Sequence, residues 1–234
     1  MTDGTTAWQT ATVTNIVRET ERAMSFRLRL TEPRSHISGQ HYVVRLTAPD
    51  GYVASRSYSI ASPPGDPSEI VLTVERLDDG EVSTFLHDVV EIGDELEVRG
   101  PIGTWFTWDG ETPSLLVGGG SGLVPLVSML RHARLTGRAD RLHLVASVRA
   151  PADLLYADEL VGPEVVVVYS RTAPSGVARR PGRLVRADLP HDLAVFARIL
   201  VCGSNGFANH VTTLLAAAGV PADRIRVERF GPSG

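Results

Sequence analysis

The rhythm of the chain changes once, between Asp109 and Pro113, and no other feature limits the possible folds so strongly. Before that point the apolar residues alternate in short runs: TATVTNIV, AMSFRLRL, HYVVRLT, RSYSIAS, EIVLTVERL and ELEVRG. The segments between them, EPRSHISG, APDG, SPPGDPS and DDGE, are rich in Pro, Gly and Asp, which start and stop turns. Six such runs with little helix between them predict an antiparallel barrel or sandwich. STFLHDVV interrupts them and reads as a short helix capped by Ser83 or Thr84. After TWDGETP, strand-like and helix-like segments alternate. SLLVGGG, RLHLVASV, EVVVVYSR, RILVCGSNG and DRIRVERF read as strands; LVPLVSMLRHARLTG, ADLLYADEL and FANHVTTLLAAAG read as helices. Alternation of this kind predicts a parallel sheet covered on both faces. The expected domains are therefore residues 1–110 and 111–234.

Composition excludes several classes. At 234 residues and 43% apolar content the chain can build two cores of ordinary size. No run approaches the roughly twenty apolar residues of a membrane span, and MTDGTTAWQT lacks the basic start and apolar run of a secretory leader. A formal charge of −4 argues against general nucleic-acid binding. The single cysteine, Cys202, excludes an internal disulfide, a thiolate zinc site and a cluster held by several cysteines within these residues. The seven histidines show no metal-ligand spacing, so no metal is expected. A cytoplasmic protein fits this set.

Two short stretches carry chemistry. RSYSIAS, Arg56 to Ser62, sets a cation beside an aromatic ring on one face of a candidate strand, which suits a ligand with both a negative charge and a flat ring. GGGSGLVP, Gly118 to Pro125, lies between a strand and a helix. Its glycines permit a tight turn and a close phosphate, the helix start offers free N–H groups, and Pro125 in the first turn costs no hydrogen bond. Each has a plainer reading. Tyr58 could be cross-strand packing, Arg56 a surface ion pair, and the glycines a turn needed only for close packing. Proline at the third glycine position also separates the turn from the GxGxxG of ordinary dehydrogenases.

Taken in order, R-x-Y-S, then G-x-x-S, then G-x-G-x-x-P resembles the ferredoxin–NADP reductase superfamily over nearly the whole chain. GPIG (Gly100 to Gly103), CGSNGF (Cys202 to Phe207) and ERFG (Glu228 to Gly231) also match. The resemblance implies a six-stranded antiparallel flavin-binding β-barrel followed by a parallel-sheet α/β domain for the nicotinamide dinucleotide. It implies that Arg56 pairs with flavin phosphates, that Tyr58 lies against the isoalloxazine, and that Ser59 reaches N5. Ser57, Val74 and Arg76 join the flavin set, and Gly80, Val82 and Ser83 offer helix amides to a pyrophosphate, hence FAD rather than FMN. In the second half Gly120, Ser121, Gly122 and Pro125 form the dinucleotide's phosphate turn. Cys202 and Gly203 flank the nicotinamide, and Glu228 is the acid near the reacting rings. Free cysteine in an apolar strand is otherwise a small core residue. Phe230, with four residues after it, lies near the aromatic position that covers the flavin's other face in some members.

Ser170 and Arg171 end a strand with no acid beside them, Arg179 and Arg180 follow in the loop, and Arg149 ends the preceding strand. A 2′-phosphate needs such donors, whereas a 2′-hydroxyl is usually met by Asp or Glu, so NADPH is expected, with NADH possible. The implied reaction moves hydride from nicotinamide to flavin. With one cysteine, the one-electron acceptor is expected to be a separate protein: a ferredoxin, a flavodoxin or an oxygenase component. Two alternatives stay open, a small-molecule flavin or quinone reductase and a non-catalytic flavin-binding redox subunit.

Overall fold

A computed structural model describes residues 7–231. Most of the amino-terminal stretch read for a leader, and three of the four residues after Phe230, lie outside them. The chain forms two compact units, Met1–Thr107 and Trp108–Gly234, and each has its own core.

The first unit is a six-stranded antiparallel sheet of β1 (Gln9–Thr20), β2 (Ala23–Leu30), β3 (His41–Thr47), β4 (Val53–Ser59), β5 (Glu69–Glu75) and β6 (Glu95–Ile102). Their spatial order is β4-β3-β6-β1-β2-β5. A bridge between Ile60 and Leu72, with Ala61 N–H donating to the Val71 carbonyl at 2.7 Å, brings the end of β4 to β5 and closes the barrel. That single bridge joins the two outer strands beyond the end of β4, and most of β4 itself stays exposed. Inward residues Phe26, Leu28, Tyr42, Ile70, Leu72 and Val98 fill the barrel. Helix α1 (Glu81–Asp88) packs across β3, β4 and β5, burying Val82 and Leu86. Its cap is Gly80 rather than Ser83 or Thr84. Ser83 lies one turn further in, and its hydroxyl folds back to donate to the Gly80 carbonyl (3.0 Å) and accept from Leu77 N–H (3.1 Å). A Cβ at position 80 would strike that hydroxyl, so glycine and serine form a single device.

The second unit is a five-stranded, wholly parallel sheet in the order β11-β10-β7-β8-β9. Its strands are β7 (Ser114–Gly119), β8 (Leu142–Val148), β9 (Val165–Tyr169), β10 (Arg198–Gly203) and β11 (Ile225–Arg229). Leu115, Val117, Val145, Ile199 and Val201 face one side with Ala208, Val211 and Leu215 of α3 (Asn205–Ala217). Leu116, Leu144 and Leu200, equally buried, alternate to the side where α2 (Leu123–Leu135) packs. Burial on both faces explains the near-continuous apolar strands.

ADLLYADEL does not form the expected α-helix. A 3-10 turn, Pro151–Asp153, overlaps only its first two residues, and Tyr156 takes a left-handed φ of 55°. Tertiary contacts explain the difference: Arg131 lies 4.6 Å above the Tyr156 ring and pairs with Glu159, so the segment is shaped by α2 rather than by its own propensity. Among the described residues no helix is long and apolar enough to cross a membrane.

Candidate functional site

In the barrel, the expected residues gather where β4 meets α1. Arg56, Ser57, Tyr58 and Ser59 are consecutive on β4. Arg56 is exposed, donates only to its neighbour's carbonyl (Ser55, 2.7 Å), and has no ion pair among the described residues. It acts electrostatically on Tyr58, opposing the burial that pushes that phenol well above its usual range. The hydroxyls of Tyr58 and Ser59 are both buried and without a hydrogen-bond partner. Two orphaned hydroxyls in adjacent residues are costly in a folded protein unless something else satisfies them. Val74 is core, and its carbonyl accepts from His87 Nε2 of α1 (2.9 Å). Arg76, just past β5, is held by Asp88 at the far end of α1 (2.8 Å). The first turn of α1, entered at Gly80 and running through Val82 and Ser83, carries N–H groups with no carbonyl in a preceding turn. Its hydroxyl being engaged, Ser83 has only its amide to offer.

In the second unit, β7 continues to β8 on one side, while β10 lies on the other. Sheet order reverses between β7 and β10, and in open α/β sheets ligands bind at the carboxyl ends of the strands beside such a reversal. The two glycine motifs are at that point. Gly118, Gly119, Gly120, Ser121 and Gly122 end β7 and lead into α2, where Pro125 is buried in the first turn. Cys202 and Gly203 end β10. A Cβ on Gly122 would run into the Cys202 carbonyl, and one on Gly119 would meet the Phe207 ring at 2.7 Å. Gly120 alone in this group has a left-handed φ (57°) with no atom within 4 Å of its Cβ position. The plain packing reading therefore holds for Gly119 and Gly122, while Gly120 faces open space. Phe207, quoted in CGSNGF without a role, fills the space that two glycines leave, since a Cβ on Gly203 would also meet its ring at 2.7 Å. Only the distances could show that.

Cys202 is fully buried and stands in register with Glu228 on β11. Burial, and secondarily Glu228, push the thiol well above its ordinary value; burial raises the Glu228 carboxyl to about 7. Phe230 N–H donates to the Gly203 carbonyl at 3.0 Å, so the residue after β11 is tied to the end of β10. Arg149 and Arg171 are exposed and adjacent through Arg171 N–H to the Arg149 carbonyl (2.9 Å), with Ser170 N–H on Val148 (2.8 Å). Arg179 corrects the expectation for the loop: its guanidinium is engaged by Asp188 (Nη2 to Oδ2, 2.7 Å) and by backbone carbonyls.

Residues 10–107 match the oxidoreductase FAD-binding domain family, and residues 116–213 match the oxidoreductase NAD-binding domain family. The reductase component of the naphthalene 1,2-dioxygenase/salicylate 5-hydroxylase systems of Ralstonia sp. is 32% identical over 233 residues, covering 95% of this chain and 69% of its own length. This chain belongs to the ferredoxin–NADP reductase superfamily. The glycine betaine monooxygenase reductase subunit of Chromohalobacter salexigens is another relative, 35% identical across 78% of this chain and 53% of its own. The chain thus spans between about half and two thirds of the length of these curated relatives. Among solved structures, the cytochrome P450 reductase of Amycolatopsis aligns with a TM-score of 0.79 at 26% identity, covering 97% of this chain and 71% of that one. The FAD/NAD-binding domain of a Vibrio cholerae nitric oxide dioxygenase shares the fold at a TM-score of 0.83 and 22% identity, covering 96% of this chain and 99% of that domain. As a superfamily member the chain joins an FAD-binding to an NAD-binding oxidoreductase domain. The barrel residues fit that flavin: two orphaned hydroxyls, a free guanidinium and an open helix start are complementary to a ring system with a phosphorylated tail.

Proposed function

We propose that this chain accepts hydride from NADPH onto FAD and releases the electrons one at a time to a separate redox protein: a ferredoxin, a flavodoxin or an oxygenase component. The observation that carries the reading is the buried, unsatisfied pair Tyr58 and Ser59 beside the unpaired Arg56. FAD, when bound, supplies the capacity to take two electrons and give them up singly. Arg56 holds its phosphates in a charge-assisted fork, the α1 amides of Val82 and Ser83 add the helix dipole, and Tyr58 and Ser59 orient the ring. In the second unit Gly120, Ser121 and Gly122 receive the nucleotide's phosphates. Cys202 and Gly203 shape the floor beside the nicotinamide, with Glu228 next to them; the high thiol pKa argues for packing and positioning rather than nucleophilic attack. Arg149, Ser170 and Arg171, without an acid at the strand end, favour a 2′-phosphate and hence NADPH.

The relatives' names support the acceptor, since they are components or subunits of dioxygenase and monooxygenase systems. A cytoplasmic location goes with this reading because the nicotinamide pool it draws on is there. The test is anaerobic stopped-flow reduction of the holoprotein by NADPH and NADH in parallel, followed at the flavin band at about 450 nm. Fast bleaching by NADPH is the expected result, and Arg171→Glu should slow NADPH about tenfold while sparing NADH. Equal losses for both nucleotides would remove the NADPH assignment. A yellow protein bleached by neither would leave a flavin-binding redox subunit.

A further inference from the structure

Beside the flavin residues of the barrel, two large apolar side chains face solvent on segments that one amide holds together. Trp105, in the loop after β6, is 62% exposed, and Ile37, in the turn before β3, is 49% exposed. Gln40 lies between them. Its side-chain oxygen accepts from Ile37 N–H (2.8 Å), and its Nε2 donates to the Gly103 carbonyl (2.8 Å). Its backbone carbonyl accepts from Ile60 N–H, just past β4 (3.0 Å). A single residue thus fastens the turn of Ile37, the loop of Trp105 and the end of β4. His41, the next residue, is the Cα partner of Ser59 on one side and of Ile102 on the other. Ser59 orients the flavin ring in the reading above, so the two apolar side chains border the end of the barrel where that ring belongs.

Charge is missing from this window. Residues 35–43 and 100–107 contain no Asp, Glu or Arg, although residues 1–107 carry 16 acids and 9 arginines. Arg99 borders it as the Cα partner of Val43. Its neighbour Arg45 is paired with Glu97, but Arg99 makes no ion pair among the described residues, and its Nε is buried without a hydrogen-bond partner. Surface apolar residues scattered singly are ordinary; two pinned to one amide beside a reactive centre form a contact patch. Tryptophan and arginine are the commonest anchors of protein interfaces, and loops fixed beforehand lose little entropy on docking. We propose that Trp105, Ile37 and Arg99 form the docking surface for the one-electron acceptor, a small acidic carrier that presents apolar residues around its redox group and a carboxylate to Arg99. This rests on the electron-transfer reading above. For each NADPH oxidised, two carriers take one electron each and one proton goes to solvent. A second copy of this chain fits the place less well, because a lasting dimer would cover the end of the barrel where electrons leave. Redox encounters are small and brief, so a few anchors suffice.

The test is anaerobic turnover of the flavin-loaded protein with two acceptors. One is an acidic Rieske-type ferredoxin, whose high potential makes its reduction downhill; the other is ferricyanide, a small anion that needs no docking surface. Trp105→Ala is expected to raise the KM for ferredoxin about tenfold, and Trp105→Phe to recover most of that loss. Ile37→Ser, on the other loop, should raise it several-fold. Arg99→Gln should raise it at low salt and flatten its salt dependence. Ferricyanide turnover and bleaching of the flavin by NADPH should stay at the parent's values in all four. An unchanged ferredoxin KM in Trp105→Ala and Ile37→Ser, or equal losses with both acceptors, would overturn the docking surface. A salt dependence in Arg99→Gln as steep as the parent's would overturn the acidic partner. So would a parent that reduces ferricyanide but never saturates with ferredoxin. If neither nucleotide bleaches the parent's flavin, the electron-transfer reading itself falls and takes this one with it; if bleaching and ferricyanide turnover are normal, that reading stands and only the surface is in question.

Discussion

Among single residues, Arg56 is the clearest case of a side chain with no structural duty. It is exposed and held only by its own neighbour's carbonyl, so its removal should cost the fold little. Arg56→Ala should therefore leave the melting temperature of the flavin-free protein unchanged and weaken FAD retention about tenfold or more by ultrafiltration. A matching loss of stability would make it a surface strut. Glu228 behaves in the opposite way. Its carboxyl titrates at about 7, raised by burial, against about 4.5 in an unfolded chain. The folded state thus binds the proton more tightly. This favours folding fully below about pH 4.5 and is lost as pH rises through 7, on the order of 3 kcal/mol in all. Glu228→Gln should abolish that fall, seen as a urea midpoint that no longer declines between about pH 5 and 8 relative to the parent. Parallel curves for the two proteins would show that Glu228 ionises freely. That most of RSYSIAS lies on a strand was legible because the alternation of a strand is local. That the Ser83 hydroxyl and the Arg76 guanidinium already had partners was not, since Leu77 and Asp88 reach them only in the folded chain.

At the level of elements, the turn between β7 and α2 separates two uses of glycine that look identical in text. Gly122 is required by the carbonyl of Cys202 on a neighbouring strand, which cannot move without disturbing β10. Gly120 is required only by its own φ of 57°. Gly120→Ala should accordingly cost about 1 kcal/mol, the strain of a left-handed alanine, and keep a folded protein. Gly122→Ala should cost several times more, on the order of 3 kcal/mol or above, because backbone must shift. Denaturant unfolding of the two variants checks the order, and equal costs would mean that the strands separate easily. Helix α3 was legible from its period because it buries one stripe, Ala208, Val211 and Leu215, whereas α2 is buried all round from Leu123 to Leu130 and was legible from its length and its closing Gly137. ADLLYADEL misled because its apolar period is genuine, yet Leu154, Leu155 and Tyr156 are buried as an irregular segment clamped by Arg131 on the Glu159 carboxylate and Arg134 on the Glu159 carbonyl. Propensity is a weak guide where tertiary contacts decide.

Across the whole molecule, charge is divided unevenly between the two units. Residues 1–107 carry 16 acids and 9 arginines; residues 108–234 carry 11 acids and 14 arginines. A net formal charge of −4 conceals this. The basic unit is the one matching the NAD-binding family, and an anionic dinucleotide is attracted to it over distances set by the Debye length, about 8 Å at physiological salt. NADPH carries more negative charge than NADH, so its second-order rate of flavin reduction should fall more steeply between about 20 and 300 mM salt. Equal slopes for the two nucleotides would mean that the arginines do not steer. The sequence alone determined the two-part architecture, the order of the motifs and the family, because period, turn residues and motif spacing are properties of neighbouring residues. Only tertiary structure decided which charged and polar groups remain free to act. Arg179 and Arg180 are adjacent in the chain; a carboxylate that folding brings to Arg179 makes one a strut, and its absence leaves the other an exposed cation.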